Sequence, residues 1–390
     1  MIHDVVIVGG AAHGASVAYH LATDPAFGGS VLLIEKDPTF QFAATALSAG
    51  SVRQQFSSRI NIAISLYGID FLRTVGERLA VNGERPDIGL KEGGYLFLAT
   101  DGGTATLKRN HALQVNLGAD ILHLDRSELT ARFPYVATDG IAAAAWGRSG
   151  EGWFDGYTLM QALRRKARAL GVHTLTGEVA TIEREDDAAT GVRLVDGTFI
   201  GAGAVVLAAG TGTPRLAARA GVALPVEARK RMVFTFTCRE PLPGFPLLID
   251  PSGAYVRPEG DLYIAGMAPP EADDYPATDF TVDHSFFEER LWPILAARVP
   301  AFERIKPGRA WAGHYDFNTF DQNAIVGALP GFANLFVATG FSGHGLQQAP
   351  AVGRGLAELI VHGRCQSLDL TPLGMTRIAA GQPLREENVV

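Results

Sequence analysis

The chain has 390 residues, 47% of them apolar, and a formal net charge of −7. That length suits two domains with a sizeable core, and the mildly acidic balance argues against binding nucleic acid over a broad surface. The two cysteines, Cys238 and Cys365, sit in no CxxC pattern and near no paired histidines, which argues against a zinc site or a disulfide framework, and no metal is expected.

The start, Met1-Ile2-His3-Asp4, leads straight into a strand, with no charged leader and apolar stretch, so no signal peptide is expected. No apolar run approaches the roughly 18 residues of a membrane span. The expected location is the cytoplasm, with a peripheral contact at the inner face of the membrane left open.

Val5–Val8 is a short continuous apolar run, the mark of a strand buried on both faces. A Gly/Ala turn follows, then a helix over 15–22 and a second buried strand over 31–34 ending at Glu35, which together make a βαβ unit. Apolar spacing predicts one long helix over 61–81, a strand over 95–99, helices over 104–117 and 127–133, and an amphipathic helix over 157–170. The charges Arg164, Arg165, Lys166 and Arg168 of that last helix read as a solvated face. Strands are expected over 174–183, 192–194 and 204–208, the last ending in Ala209-Gly210. From 229 to 266 the pattern turns to β, with strands over 232–238, 253–257 and 261–265. A helix over 283–299 is expected to break at Pro293. Strands over 311–316, 324–326 and 335–338 precede a final helix over 346–362, with Gly363 just past its end. Dinucleotide-type segments recur at the start, middle and end with β-rich stretches between them, so two interleaved domains are expected.

The first turn reads Gly9-Gly10-Ala11-Ala12-His13-Gly14. The dinucleotide fingerprint wants Gly, any, Gly, any, any, Gly. Gly9 makes the tight turn and Gly14 lets the helix pack on the strand. Ala11 departs at the position where backbone approaches pyrophosphate, with Gly10 beside it leaving freedom. Glu35, 21 residues after Gly14, stands where a carboxylate accepts from ribose hydroxyls, and Lys36 follows it. An acid there repels a 2′-phosphate, so NADP is disfavoured and FAD and NAD remain. Near the other end, Gly340-Phe341-Ser342-Gly343-His344-Gly345-Leu346-Gln347-Gln348 runs from a strand into a helix. Its glycines expose backbone N–H groups beside a positive helix end, which suits negative charge.

Longer stretches carry a resemblance. Trp311 to Asn323, Gly340 to Pro350, Leu47-Ser48, Arg53-Gln54-Gln55-Phe56-Ser57, Glu151-Gly152-Trp153-Phe154-Asp155, Lys230-Arg231, Ser252-Gly253-Ala254-Tyr255 and Glu387-Asn388 resemble the family of FAD-dependent oxidoreductase domain-containing protein 1. That family comprises a mitochondrial flavoprotein associated with respiratory complex I assembly and its bacterial relatives. It lies within the D-amino-acid oxidase/glycine oxidase/sarcosine oxidase (DAO) superfamily.

The resemblance implies an α/β fold: a Rossmann-like FAD-binding domain (1–85, 141–222, 323–390) interleaved with a β-rich substrate domain (86–140, 223–322), of the DAO/glutathione-reductase type. It implies FAD. Gly9, Gly10, Ala11, His13, Gly14, Glu35 and Lys36 would hold the ADP half, with Val179 at the adenine. Ser48, Ala49, Gly50 and Arg53 would lie along the flavin, Ala209 and Gly210 would pass near it, and Gly343, His344, Gly345, Leu346 and Gln347 would face its pyrimidine end.

Departures bear on the substrate. Where glycine oxidase-like members carry an Arg that clamps a carboxylate, this chain has Tyr315. Where sarcosine oxidase-like members carry a flavin-linking Cys it has Gly313, so FAD is expected to be non-covalent. Where they bind carboxylate with a Lys it has Gln347, and 262–266 lacks the Lys they use for oxygen. Electrons are therefore expected to pass to a quinone or an electron-transfer protein. Arg53 and Arg257 are the candidate carboxylate clamps, with Lys230 and Arg231 ranked below them. Tyr255 is expected on the same strand face as Arg257. His344 is a candidate to orient the substrate amine, ahead of His314 and His13. The expected reaction oxidises a small amine or amino acid, N-methylated ones included, by hydride transfer to flavin N5. The alternatives are an assembly factor associated peripherally with a respiratory complex, or a 2-hydroxy acid dehydrogenase.

Overall fold

The computed structural model describes residues 2–387. Among them are two eight-stranded sheets and a two-stranded ribbon. The first sheet is built around the apolar run at the start of the chain. Ile2–Val8 pairs in parallel with Phe199–Leu207 on one side and Val31–Glu35 on the other, with Val6 opposite Val205 and Leu32. His173–Thr176 extends it beyond Val31–Glu35, and Leu335–Thr339 and Ile325–Ala328 extend it at the other edge. A strand with neighbours on both sides and layers on both faces must be apolar throughout, and Val5 to Val8 are all buried.

Four helices cover one face: Ala12–Thr23, Arg59–Arg73, Gly156–Ala169 and Gly345–His362. The hairpin Val179–Glu185/Ala188–Leu194 branches from the same sheet, pairing antiparallel with the start of Phe199–Leu207, and with the short helix Thr213–Arg219 it packs a second core through Val179, Ile182, Val192, Leu216 and Ala217.

The second sheet runs in the order 305–318, 226–238, 262–266, 255–259, 247–249, 95–99, 143–147, 121–125. All of its pairs are antiparallel except 247–249 with 95–99. Its outer face packs on the helical segments 126–132 and 284–298 and the turn 300–303 through Leu129, Phe286, Leu291, Leu295 and Phe302. Its inner face lines a cavity. Tyr95 and Phe97, and Leu247 and Ile249, reach the lining as alternate residues of their strands, as the period-2 pleat requires, while 231–233 and 313–316 line it continuously.

Several elements differ from the sequence pattern, each for a local reason. The helix expected over 61–81 starts at Arg59, on the Ser58 cap, and ends at Arg73. There the Thr74 hydroxyl donates to the carbonyls of Asp70 and Phe71 and breaks the run. The strand expected over 174–183 is two strands. His173–Thr176 joins the first sheet, and after Gly177-Glu178 the chain turns into the hairpin. Pro293 does not break its helix, because the wide turn Phe287–Leu291 precedes it and absorbs the ring. The strands 121–125 and 143–147 were absent from the sequence pattern. Ala143–Gly147 pairs with Tyr95–Ala99, so this stretch sits in the second sheet, and the return to the first domain comes after it and not at 141. Arg164 to Arg168 are not a plain solvated face. Arg164 donates to the Gly10 carbonyl and stacks on Phe40, Lys166 donates to the Ala80 carbonyl, and Arg165 pairs with Glu84. Among the described residues no helix is long and apolar enough to cross a membrane.

Candidate active site

A cavity of about 1100 Å³ runs between the two sheets. It is slightly larger than the usual range for small-molecule sites, roughly 300–1000 Å³. At one end it is walled by Gly9, Ala11, His13, Glu35, Lys36 and Val179, with Ala209 and Gly210 beside them. The glycines here are sterically required. Gly9 has φ +102°, and a Cβ on it would meet the Ala208 carbonyl oxygen at 2.3 Å. A Cβ on Gly14 would lie 1.8 Å from the Gly9 carbonyl oxygen. Glu35 Oε2 accepts from Gly10 N at 2.7 Å and Oε1 from Asp37 N at 2.9 Å, so two backbone donors hold the carboxylate beside the glycine turn. His13 stacks on Phe341 with ring centroids 3.8 Å apart, and its buried Nε2 has no partner. Burial holds it neutral, down to about 3.

The middle of the cavity is formed by Ser48, Ala49, Gly313, Tyr315, Gly343, Gly345 and Leu346. Gly50, just behind, has φ +65° and would strike the Phe154 carbonyl with any side chain. The Gly340–Gly345 loop is bracketed by Asp316, a residue sequence reasoning missed. Its carboxylate accepts from Gly340 N at 2.6 Å and Thr339 Oγ1 at 3.1 Å, and its carbonyl accepts from Ser342 N. Burial lifts this carboxyl to about 6. Gly340 and Gly343 both have positive φ, which is why this loop needs glycine.

The far end has Arg53, Tyr95, Phe97, Tyr255, Arg231, Met232 and Ile249. Among the described residues Arg53 makes no ion pair. Its guanidinium donates to the Gln55 carbonyl at 2.9 Å and to His344 Nε2 at 3.1 Å, and lies 4.2 Å from the Phe56 ring centre. Arg can only donate, so His344 Nε2 is the acceptor and its proton sits on Nδ1. Burial and the neighbouring guanidinium keep that imidazole neutral, down to about 3. Gln347, expected at the substrate, instead turns its Oε1 to Arg53 N at 2.6 Å and is buried. His344 and Gln347 thus act on Arg53 and are not in the cavity wall.

Arg257 does not serve as a carboxylate clamp. Its side chain is buried, donating to the Ala49 carbonyl and paired with Glu259, so all its donors face protein. Tyr255 does line the cavity, and burial raises its hydroxyl well above the ordinary tyrosine range. Tyr315 is raised to about 12 by burial and lies under Arg231. Arg231, which sequence reasoning ranked low, reaches the cavity but is held by both oxygens of Asp274 at 2.7 and 2.8 Å. His314 stacks on Phe280 at 4.2 Å, and Phe280 meets Phe42 at 4.9 Å, so aromatic rings from both domains meet at the cavity wall.

A glycine cradle on a βαβ unit, an acid at the second strand, and a second glycine loop at a helix start, all on one elongated cavity, define an FAD-binding flavoprotein oxidoreductase. The cradle leaves no room for side chains at Gly9 and Gly14, and the cavity volume of about 1100 Å³ leaves space for a dinucleotide. The family model described as FAD dependent oxidoreductase (DAO) matches residues 4–359. FAD-dependent oxidoreductase domain-containing protein 1 of Xenopus laevis is 43% identical, over 99% of this chain and 85% of that protein. Its Drosophila melanogaster homolog is 36% identical, over 99% and 81%. Among solved structures, L-proline dehydrogenase from P. horikoshii superposes with a TM-score of 0.86 at 26% identity, over 97% and 98% of the two chains. Glycine oxidase from Geobacillus kaustophilus superposes with a TM-score of 0.81 at 26% identity, over 96% and 99%. The chain belongs to the DAO family of FAD-dependent oxidoreductases, and within it to the family of FAD-dependent oxidoreductase domain-containing protein 1.

Proposed function

We propose that the protein oxidises the C–H beside the nitrogen of a small amino acid or N-methylated amino acid, and passes the electrons to a quinone or electron-transfer protein. The observation that supports this reading best is Arg53, a half-buried guanidinium on the cavity wall with no carboxylate partner among the described residues. A cation partly withdrawn from water with no carboxylate bonded to it is poised to gain one, and a substrate carboxylate would supply it. Named relatives and neighbours act on such compounds: glycine oxidase, and L-proline dehydrogenase.

Gly9, Gly10, Gly14 and Glu35 would hold the ADP half of FAD, and Ser48, Ala49, Gly343 and Leu346 its ring system. When bound, FAD would supply the two-electron oxidant for this reaction. The residues of this chain bind and orient. Arg53 anchors the carboxylate, and its charge favours loss of the ammonium proton, which frees the nitrogen lone pair. Tyr255 and Tyr315 stay protonated at neutral pH and offer hydroxyls to the nitrogen. Phe97, Val233, Leu247 and Ile249 exclude water. The imine product hydrolyses after release.

The acceptor proposal rests on lysine placement. The one lysine lining the cavity among the described residues is Lys36, at the dinucleotide end. Strand 262–266 offers none.

The test is anaerobic mixing of FAD-loaded protein with amino acids, N-methylated amino acids and 2-hydroxy acids. The expected outcome is bleaching of the flavin band by an amino-acid class, with slow recolouring in air and fast recolouring by a soluble quinone. Bleaching by hydroxy acids alone, or by nothing, overturns the reading. Rapid recolouring in air overturns the acceptor part of it.

A further inference from the structure

Arg53 heads a turn whose backbone donors can be accounted for one by one. Arg53 N goes to Gln347 Oε1 at 2.6 Å. The N–H groups of Gln54 and Gln55 go to Glu151 Oε1 at 2.5 and 3.1 Å, and the Gln55 side-chain amide goes to Glu151 Oε2 at 2.8 Å. Phe56 N closes the turn on the Gln54 carbonyl at 2.8 Å. Ser57 N and Ser58 N go to Glu386 Oε2 at 2.5 and 3.2 Å. Both serine hydroxyls donate to the same carboxylate, as does Asn61 Nδ2 at 2.6 Å.

Two carboxylates, buried Glu151 and half-buried Glu386, therefore hold the turn from its two sides. Glu151 comes from the start of the ribbon strand in the middle of the chain, and Glu386 from more than 230 residues further on. Between them sits Phe56, whose ring lies under the Arg53 guanidinium and edge-on to His344 at 5.2 Å.

Glu386 is itself held in place. Leu384 N donates to Asp321 Oδ2 at 3.0 Å, and the Leu384 carbonyl accepts from Asn323 Nδ2 at 2.5 Å. Asp321 pairs with buried Arg377 at 2.7 Å. Asn323 Oδ1 accepts from Asn61 Nδ2 at 2.6 Å, and Gln348 donates to Asn61 Oδ1 at 3.0 Å. The segment 384–387 thus closes a polar network that joins the Arg53 turn, the 318–323 loop and the first turns of the C-terminal helix. Five donors on one carboxylate, most of them away from bulk water, are far more than a tail needs to lie against a surface.

We propose that Glu386 is a positioning residue for Arg53: the segment 384–387 clasps the 54–58 turn and so aims the guanidinium at an anionic group in the cavity. This rests on the reading of Arg53 as the carboxylate anchor. Without Glu386, four N–H or O–H donors on Ser57 and Ser58 lose their acceptor, Phe56 loses its fixed seat, and the guanidinium resting on Phe56 loses its aim. Because Glu386 touches neither Arg53 nor the cavity wall, its loss acts on binding of the anion and leaves the oxidation step itself little changed. By reciprocity, an anion at Arg53 tightens the tail.

The experiment uses FAD-loaded full-length protein, with acetate as a carboxylate probe followed by perturbation of the flavin spectrum. Glu386→Ala is expected to raise the acetate Kd about tenfold, the scale on which small misplacements of a positioned group are felt. It should raise substrate KM by a similar factor with kcat changed less than about threefold. Glu386→Asp is expected to recover much of the acetate affinity. Glu387→Ala, at an exposed neighbour paired with Arg109, is expected to match wild type. If Glu386→Ala takes up too little FAD for titration, Glu386→Gln carries the same measurement. Wild-type acetate affinity in a Glu386 variant that melts lower would make the clasp purely structural and overturn the inference. Arg53→Met separates the two layers. If it abolishes acetate binding while Glu386 variants do not, only the clasp fails. If acetate binds Arg53→Met as it binds wild type, or leaves wild type unperturbed, the reading of Arg53 fails and the clasp with it.

Discussion

At the residue scale, the tightest constraint is Gly14. A methyl there would lie 1.8 Å from the Gly9 carbonyl oxygen, a backbone atom that cannot yield without opening the cradle. Gly14→Ala is expected to cost several kcal/mol where overpacking of this kind usually costs about 1–3, and to purify largely without FAD, as read from the absorbance ratio of flavin to protein. Glu151 makes a second prediction. Burial lifts its carboxyl from 4.5 to about 7. A carboxyl raised in the folded state carries no penalty below the unfolded value, because both states are protonated there. As pH climbs from about 4.5 to about 7 the unfolded chain ionises first, so this group's contribution to stability falls, by up to about 3 kcal/mol, and then levels off. Glu151→Gln removes the titration. Urea midpoints measured across that window should fall with pH in wild type and fall distinctly less in the variant. Equal slopes would show that Glu151 is ionised throughout.

The element scale shows what could be read from sequence and what could not. Val5–Val8, the glycine turn and Glu35 were legible because a doubly covered parallel strand and a dinucleotide turn each demand particular residue types at fixed spacing. Pro293 misled because the wide turn before it is a property of the folded helix and leaves no composition signal. The alanine-rich strand Ala143–Gly147 has little β propensity and forms because Tyr95–Ala99 and Ile121–Asp125 lie on either side of it. Arg257 was credible by residue type, but nothing in the sequence said that the Ala49 carbonyl and Glu259 would use up its donors. Glu386 and Asp316 were invisible for the same reason: a carboxylate's role is set by which donors surround it, and those come from distant parts of the chain. Local capping, in contrast, can be read directly. Asp125 and Glu128 form a capping box on helix Arg126–Arg132, far from the cavity. Asp125→Ala is expected to lower the melting temperature by loss of the cap with FAD content unchanged, a result checked by thermal melting beside the visible spectrum.

At the scale of the whole molecule, the cavity is walled by both sheets, so a ligand filling it joins two layers that otherwise meet through loops and short contacts. FAD at a hundred times its Kd should add about 2.7 kcal/mol to unfolding. Both domains should gain together, giving one calorimetric transition for loaded protein. Stripping the FAD should lower it, and separate melting of the two sheets is expected to show first in the apo form. A loaded protein with two well-separated transitions would mean that the cofactor grips one domain only.

The register of the central strand carries one more consequence. Val6 finds Leu32 early but Val205 only after almost 200 further residues, and Leu335 must follow before that neighbour is itself covered. At common translation rates of about 5–20 residues per second, the apolar face of the first strand waits roughly ten to forty seconds on the ribosome for its partner. During that interval it is an open edge, able to pair with any passing strand. Production of this protein should therefore be limited by how well the nascent chain is shielded, and slower synthesis at low temperature or extra trigger-type chaperone should raise its soluble yield more than any substitution at the cavity.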